Sequence, residues 1–215
     1  MTPAMAAPLF ITFEGIDGSG KSTQARLLAD RLRAQGIATL LTREPGGSPG
    51  AEEIRALLLT GASGRWSAET EILLFTAARR DHMEKTIRPA LAAGQCVVSD
   101  RFADSTRVYQ GATRGNLRAM VDSLHAMMIG REPDLTFVID MDPATALARG
   151  LARRSGEDRF EDMGLPFQET LRHGFLALAH AHADRCVVIA GNRDTAEVAS
   201  EVAAHALSRL AGSAA

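Results

Sequence analysis

The sequence predicts an α/β fold, in which a five-stranded parallel sheet carries helices on both faces. Three observations predict it. Short apolar runs rich in β-branched residues recur along the 215-residue chain. Helix-like periodicity fills the intervals between them, and neither an internal repeat nor a long linker interrupts the alternation. The length suits one domain, which we expect to span residues 1–215.

Five runs have the composition of buried strands. They are Leu9–Glu14, Ile37–Leu41, Cys96–Asp100, Thr136–Asp140 and Cys186–Ala190. Seven other segments carry apolar residues at three- and four-residue spacing, which is typical of helices. They are Gly20–Gln35, Ala51–Leu59, Glu69–Ala93, Leu117–Gly130, Pro143–Arg154, Phe167–Ala183 and Thr195–Leu210. Ligands of open parallel sheets bind beyond the carboxyl ends of the strands, so we expect the functional site where these runs end.

Charge and hydropathy exclude two broad classes of protein. The 24 basic and 26 acidic side chains nearly balance, so the wide positive surface of a sequence-independent nucleic-acid binder is absent, and we expect no nucleic-acid polymer as partner. No uncharged apolar run reaches the length of a membrane span. We therefore expect a cytoplasmic protein with no membrane partner, in which Cys96 and Cys186, each opening a strand-like run, are buried thiols.

The basic residues are skewed in type, because 22 are arginine and only Lys21 and Lys85 are lysine. Lys21 lies in a motif that directly follows the first strand. The motif is Gly15-Ile16-Asp17-Gly18-Ser19-Gly20-Lys21-Ser22-Thr23. It matches the P-loop pattern of Gly, four residues, Gly-Lys and Ser or Thr, set between a strand and a helix. In this motif backbone N–H groups cradle phosphates, the lysine reaches the β- and γ-phosphates, and the serine, here Ser22, binds magnesium.

A P-loop indicates a nucleoside triphosphate but not the reaction. Guanine-specific switches carry an Asn-Lys-x-Asp element, and Asn192-Arg193-Asp194 lacks its lysine and its spacing. A large mechanical ATPase would need a longer chain. A small kinase, which binds a second substrate that accepts the phosphate, fits best.

Three further clusters follow strand ends or lie on nearby helices. They are Thr42-Arg43-Glu44-Pro45-Gly46-Gly47, the pair Phe75 and Arg79 at four-residue helical spacing, and Asp100-Arg101-Phe102-Ala103-Asp104-Ser105-Thr106-Arg107-Val108-Tyr109-Gln110-Gly111. Together with the acidic P-loop, these clusters resemble the thymidylate kinase family. The resemblance covers the chain from about Leu9 to Leu210, and the combination is far more specific than any single motif.

The resemblance implies a P-loop kinase fold and transfer of the γ-phosphate of ATP to thymidine 5′-monophosphate (dTMP). It also implies Mg²⁺ as cofactor and a homodimer. By motif, Phe75 would stack on the thymine, Arg79 would bond a thymine carbonyl, and Arg101 would hold the acceptor phosphate with help from Arg43. Stacking on a flat ring and donation to a carbonyl suit these residue types.

The remaining acceptor contacts come from the same motifs. Asp17 would address the 3′-hydroxyl and help to organise metal and phosphate, and Tyr109 would select deoxyribose. Ser105 and Thr106 resemble the small polar positions near the base, and the motif leaves open which of them contacts it. Gln110 completes the substrate-binding set.

Arginines also cluster in the segment 149–164, which resembles the family's lid. Members of the family carry the catalytic arginine either in the P-loop or in the lid. Because Gly18 occupies the P-loop position, the lid type is expected. Arg153 is the first candidate and Arg154 the second, with Arg149 nearer the adenine or the α- and β-phosphates. An arginine at the transferring phosphate contributes about 10³–10⁵ in rate.

Two alternatives remain open from the sequence. A deoxynucleoside kinase of the same fold would use a carboxylate such as Glu44 as general base on a sugar hydroxyl. A P-loop switch would bind nucleotide only to change a partner interface.

Overall fold

The computed structural model describes residues 7–62, 64–112, 116–153 and 164–212. It contains the predicted five-stranded sheet, with all strands parallel and in the order β2-β3-β1-β4-β5. The strands are β1 (Phe10–Glu14), β2 (Thr39–Arg43), β3 (Cys96–Asp100), β4 (Leu135–Asp140) and β5 (Cys186–Ala190). Two of the five strand predictions have the observed bounds, two differ by one residue at the start, and the prediction for β2 begins and ends two residues too early.

The described helices are α1 (Lys21–Ala34), α2 (Pro49–Leu59), α3 (Ala68–His82), α4 (Arg88–Ala92), α5 (Ala103–Thr106), α6 (Arg118–Met128), α7 (Pro143–Arg153), α8 (Gly164–Ala181) and α9 (Thr195–Gly212). Two π-helical segments, Met83–Ile87 and Arg107–Ala112, follow α3 and α5. In the described part of the chain, no helix combines the length and apolar character needed to cross a bilayer.

One helix prediction needs correction, and one helical segment has no counterpart among the predictions. The segment predicted as one helix over Glu69–Ala93 is α3, a π-helical turn and α4 in succession. Pro89, near the start of α4, has no N–H for the preceding turn, and the helix widens to π just before it. The segment Ala103–Ala112 was not predicted as helix, yet it forms α5 and the second π-helical segment.

The core lies on both faces of the sheet, because alternate strand residues point to opposite sides. On one face Ile11, Phe13 and Phe137 pack against α1 and α9. On the other, Phe10 and Val138 belong to separate clusters that include residues of α4 and α8. The parallel register places the carboxyl ends of the strands at one edge, where the functional motifs begin.

Candidate active site

The P-loop runs from the end of β1 into α1, as predicted. Gly15 has φ +132°, and a Cβ there would lie 2.6 Å from the carbonyl oxygen of Ile139 in β4. Glycine is therefore needed both for the backbone conformation and for the close approach to the neighbouring strand. Ser22 and Thr23, in the first turn of α1, are exposed.

Lys21 is the first residue of α1, and its side chain is 5% exposed. Its Nζ atom donates a hydrogen bond to the carbonyl oxygen of Ile16 at 2.7 Å and lies 3.9 Å from Oδ1 of Asp17. Burial, followed by the charge of nearby Arg101, lowers the pKa of Lys21 to about 8. The P-loop thus holds a desolvated cation whose ammonium group folds back on the loop.

Asp17 and Arg101 face each other between the P-loop and the segment after β3. Arg101 donates through Nη2 to Oδ1 of Asp17, and Tyr109 donates its hydroxyl hydrogen to Oδ2 of Asp17 at 2.8 Å. The Arg101 guanidinium also lies 5.1 Å from the centre of the Tyr109 ring. Burial would raise the pKa of Asp17, but the charges of Arg101 and Lys21 outweigh it and lower that pKa to about 2. Three side chains predicted for the acceptor site therefore form one bonded cluster.

Ser105 is hydrogen-bonded both to Arg101 and to Glu14, a residue that the sequence motifs did not identify. Arg101 Nη1 donates to Ser105 Oγ at 2.7 Å, and Ser105 Oγ donates to Oε2 of Glu14 at 2.6 Å. Glu14 is fully buried and also accepts from the backbone N–H of Phe102 at 2.8 Å. Burial, with the charge of Asp104 second, raises the pKa of Glu14 to about 7. The structure places the Ser105 hydroxyl between Glu14 and Arg101.

Arg79 lies at the centre of a second buried cluster. Its Nε donates to Oε2 of Glu44 at 2.7 Å, and its Nη2 donates to Thr106 Oγ1 at 3.0 Å and to the carbonyl oxygen of Phe102 at 3.1 Å. Among the described residues, none accepts a hydrogen bond from its Nη1. Phe75, one turn earlier on α3, is half-buried. The structure thus brings Arg79 and Thr106 into contact, with Phe75 one turn away from Arg79 on the same helix.

The carboxylate of Glu44 is held on both sides. His82, which is fully buried, contacts Oε1 of Glu44 through Nδ1 at 3.1 Å, while its Nε2 lies 2.7 Å from Thr42 Oγ1. Burial would raise the pKa of Glu44, but the charge of Arg79 outweighs it, so that pKa is lowered. His82 carried no signal in the motifs beyond its position on the same helix as Arg79.

Gln110 is buried on the π-helical segment, and its Nε2 donates to Oε2 of Glu71 at 3.0 Å. Glu71 is another fully buried carboxylate that the sequence did not single out. Its signal was its spacing, because Glu71, Phe75 and Arg79 recur every four residues and lie on one face of α3.

The other predicted residues lie at the margins. Arg43, the last residue of β2, is exposed, and its Nη2 contacts both carboxylate oxygens of Glu52 at 3.2 Å. Arg149 donates from Nη1 to Met141 Sδ at 3.4 Å. Arg153 ends α7, but its side chain is not among those described, and Arg154 and most of the predicted lid lie outside the described residues.

Comparisons with known proteins agree with these motifs. A family model described as thymidylate kinase matches residues 13–202. The thymidylate kinase of Dinoroseobacter shibae is 73% identical over 91% of this chain and 94% of its own length. That of Ruegeria pomeroyi is 65% identical over 94% of this chain and 96% of its own length.

A solved structure is also similar. The crystal structure of thymidylate kinase from Ehrlichia chaffeensis superposes with a TM-score of 0.75 at 38% identity, covering 93% of this chain and 99% of that one. The match confirms the P-loop kinase fold predicted from the sequence. With the P-loop, the Arg101 cluster and the Arg79 cluster all in place, the chain belongs to the thymidylate kinase family.

Proposed function

We propose that this protein transfers the γ-phosphate of ATP to dTMP and releases ADP and dTDP. In this reaction an oxygen of the dTMP phosphate attacks the γ-phosphorus, and the bond from that phosphorus to the β,γ-bridging oxygen breaks. The observation that carries the proposal is the position of Arg101. Arg101 Nη2 is hydrogen-bonded to Oδ1 of Asp17, and Nζ of Lys21 lies 3.9 Å from the same oxygen, so the two cations lie close enough to hold the acceptor phosphate and the γ-phosphate side by side.

The acceptor phosphate would bind at Arg101. An incoming phosphate replaces Asp17 and Tyr109 as partners of the guanidinium or shares it with them. Arg43 can assist, because it pairs with Asp100 in the register of β2 and β3, next to Arg101, and its present partner Glu52 is exposed. An exposed ion pair contributes only about 0–1 kcal/mol, so Arg43 can leave it for a phosphate at little cost.

The thymine would stack on Phe75 and receive a hydrogen bond from Nη1 of Arg79 at a ring carbonyl. Gln110 supplies a matching acceptor, because its Oε1 is buried and has no hydrogen-bond partner among the described residues. An unsatisfied buried acceptor costs about 1–3 kcal/mol, and the N3–H of thymine would satisfy it.

The sugar would lie against the pair formed by Asp17 and Tyr109. Asp17 is ionised throughout the neutral range because of its lowered pKa, so it can accept a hydrogen bond from the 3′-hydroxyl. The Tyr109 ring is packed edge-to-face against Phe167 and Phe175, at centroid distances of 6.2 and 6.1 Å. A ring fixed in this way can exclude a 2′-hydroxyl.

Magnesium fits the donor atoms at this edge of the sheet. Oδ1 of Asp100 is buried without a hydrogen-bond partner among the described residues, and the exposed Ser22 hydroxyl follows Lys21. Oxygen donors of this kind, completed by phosphates and water, are what Mg²⁺ binds. Bound there, the ion would neutralise charge on the β- and γ-phosphates.

The catalytic arginine would come from the lid, with Arg153 as the first candidate and Arg154 as the second. Two observations support this choice. Gly18 occupies the P-loop position that carries arginine in other members of the family, and α7 leads from the site directly to Arg153. Arg149, four residues earlier on α7, would lie nearer the adenine or the α- and β-phosphates.

Both alternatives from the sequence are weaker. A deoxynucleoside kinase would use Glu44 as general base, but Arg79 and His82 occupy both oxygens of that carboxylate. A nucleotide switch has no use for the buried cluster around Arg79.

We also propose that the protein is a cytoplasmic homodimer. Large apolar side chains are exposed on α3 and on α2 and α6, each of which contacts α3. They are Leu57, Leu73, Met127 and Met128, which are 42%, 53%, 70% and 43% exposed. Burying such side chains against a second copy would be favourable.

A single coupled assay tests the proposed reaction. Purified protein is given MgATP with dTMP, with thymidine or with no acceptor, and ADP formation is followed. We expect turnover with dTMP alone. Turnover with thymidine but not with dTMP would establish a nucleoside kinase instead, and hydrolysis that does not depend on an acceptor would favour a nucleotide switch.

A further inference from the structure

Helix α3 is hydrogen-bonded at two positions along its length to the segment that follows β3. At one position Arg79 donates to Thr106 Oγ1 and to the carbonyl oxygen of Phe102. Two helical turns earlier on α3, Glu71 accepts a hydrogen bond from Gln110. Phe75 lies midway along the same face of α3, so the proposed stacking ring is flanked by one polar contact on each side.

The contact between Glu71 and Gln110 fixes the orientation of an amide. A carboxylate offers only acceptor oxygens, so the NH₂ end of the Gln110 amide must face Glu71 and the carbonyl end must face away. Both side chains are buried, at 0% and 1% exposure, so water does not compete for either end. The carbonyl oxygen Oε1 is left as a buried acceptor without a partner among the described residues.

We propose that Glu71 is a specificity-determining positioning residue that makes Gln110 accept, and never donate, a hydrogen bond at the base. The proposal rests on the proposed function and names the chemical class that this site selects, a pyrimidine with an N3–H and a C4 carbonyl. Thymine and uracil present that N3–H. Cytosine presents an unprotonated N3 and a 4-amino group. Its N3 would place an acceptor against the acceptor Oε1 of Gln110, and its amino group would place a donor against the donor Nη1 of Arg79.

Glu44 has the corresponding role for Arg79. It binds Nε and leaves Nη1 as a donor to the base. Two buried carboxylates that do not contact the substrate would therefore set the order of donor and acceptor that the base must match. Sites that hydrogen-bond a substrate group in this way reject analogues that cannot pair, because buried polar groups are then left unsatisfied.

The test is Glu71→Gln, assayed with dTMP, dUMP and dCMP as acceptors. An amide at position 71 can donate or accept, so Gln110 is free to turn and offer its NH₂ to N3 of cytosine. We expect the ratio of kcat/KM for dTMP over dCMP to fall by about tenfold, the equivalent of one hydrogen bond of about 1.4 kcal/mol. The ratio for dTMP over dUMP should not change, because those bases differ only in the methyl group. Glu69→Gln, an exposed glutamate on the same helix, is the matched control and should change neither ratio.

A double variant distinguishes loss of the Gln110 amide orientation from general disruption of the site. In Glu71→Gln with Gln110→Glu, the carboxylate at position 110 accepts at both oxygens and the amide at position 71 donates to it, so discrimination against dCMP should return. The proposal is overturned if Glu71→Gln lowers kcat/KM equally for all three acceptors, or if the double variant discriminates no better than Glu71→Gln. Failure of the proposed function would be evident separately, as absence of dTMP turnover in the unmodified protein.

Discussion

The carbonyl oxygen of Ala146, in the first turn of α7, lies directly against Gly18 of the P-loop, where a Cβ atom would come within 1.9 Å of it. Gly18 also has φ +82°. The phosphate loop and the helix that leads to the lid are therefore packed together with no space for a side chain at this position.

We expect Gly18→Ala to lower the free energy of unfolding more than Gly20→Ala does. Both positions have positive φ, at +82° and +97°, and each substitution should cost about 1–2 kcal/mol for that reason. A Cβ on Gly20 meets nothing within 4 Å. Overpacking against Ala146 should therefore add about 1–3 kcal/mol for Gly18→Ala alone. Urea denaturation measures the difference, and equal losses would show that α7 yields to the side chain.

The same packing bears on the lid. Because position 18 cannot hold an arginine with α7 in this place, we expect Arg153→Ala to reduce kcat by about 10³ with a small change in the KM for ATP. Arg154→Ala is the matched control, which should retain most of the activity. If Arg154→Ala instead carries the loss in kcat, the catalytic arginine is one residue further along the chain.

The lowered pKa of Lys21 predicts how both kcat/KM for ATP and the stability of the folded protein change with pH. That pKa is about 8 in the folded protein and 10.5 ordinarily. Only the protonated form attracts the phosphates, so kcat/KM for ATP should fall as pH rises above about 8. Over pH 8 to 10.5 the unfolded chain binds more protons, so this group makes the folded protein more stable as pH rises, by up to roughly 3 kcal/mol. Lys21→Ala should abolish turnover, leave the fold intact and remove this contribution. An active and folded Lys21→Ala variant would refute the role given to Lys21.

Glu14 has the opposite effect on the pH dependence of stability, in a lower pH range. Its pKa is raised from 4.5 to about 7 in the folded protein, so the folded form binds more protons between those values. Stability should therefore fall as pH rises from about 4.5 to 7, by up to roughly 3 kcal/mol from this group alone. Glu14→Gln should flatten that slope in thermal unfolding curves. Glu53→Gln, an exposed glutamate of α2, should retain it.

The sheet could be predicted because apolar strand residues such as Val97 and Phe137 are recognised by residue type alone. No knowledge of the residues that they contact is needed. The sequence predicted Lys21, Arg79 and Arg101 because their motifs are local. It did not predict α5, since Asp104 and Thr106 are buried polar residues that interrupt the apolar period. Their partners, Arg185 and Arg79, are far away along the chain.

Three residues that complete the site were missed for a related reason. Glu14, Glu71 and His82 are ordinarily surface residue types, and apart from the four-residue spacing of Glu71 with Phe75 and Arg79 nothing local distinguishes them from solvated residues. Each is 0% exposed here, and each is stabilised by a hydrogen bond to a residue at least 38 positions away. Such pairs become visible only when the topology brings the segments together.

His82 supports the last prediction. Its contact with Oε1 of Glu44 helps to hold the carboxylate that fixes Arg79. In His82→Phe that contact is lost, so the Glu44 carboxylate that binds Nε of Arg79 is held less firmly. Loss of one buried hydrogen bond, worth about 1.4 kcal/mol, should raise the KM for dTMP about tenfold while kcat and the KM for ATP change little. His82→Gln, which can still donate to Glu44, should recover part of the affinity. Met83→Ala removes an equally buried neighbour that has no part in this contact. It should lower the melting temperature without changing the KM for dTMP, whereas a parallel rise in KM in both variants would assign His82 to packing alone.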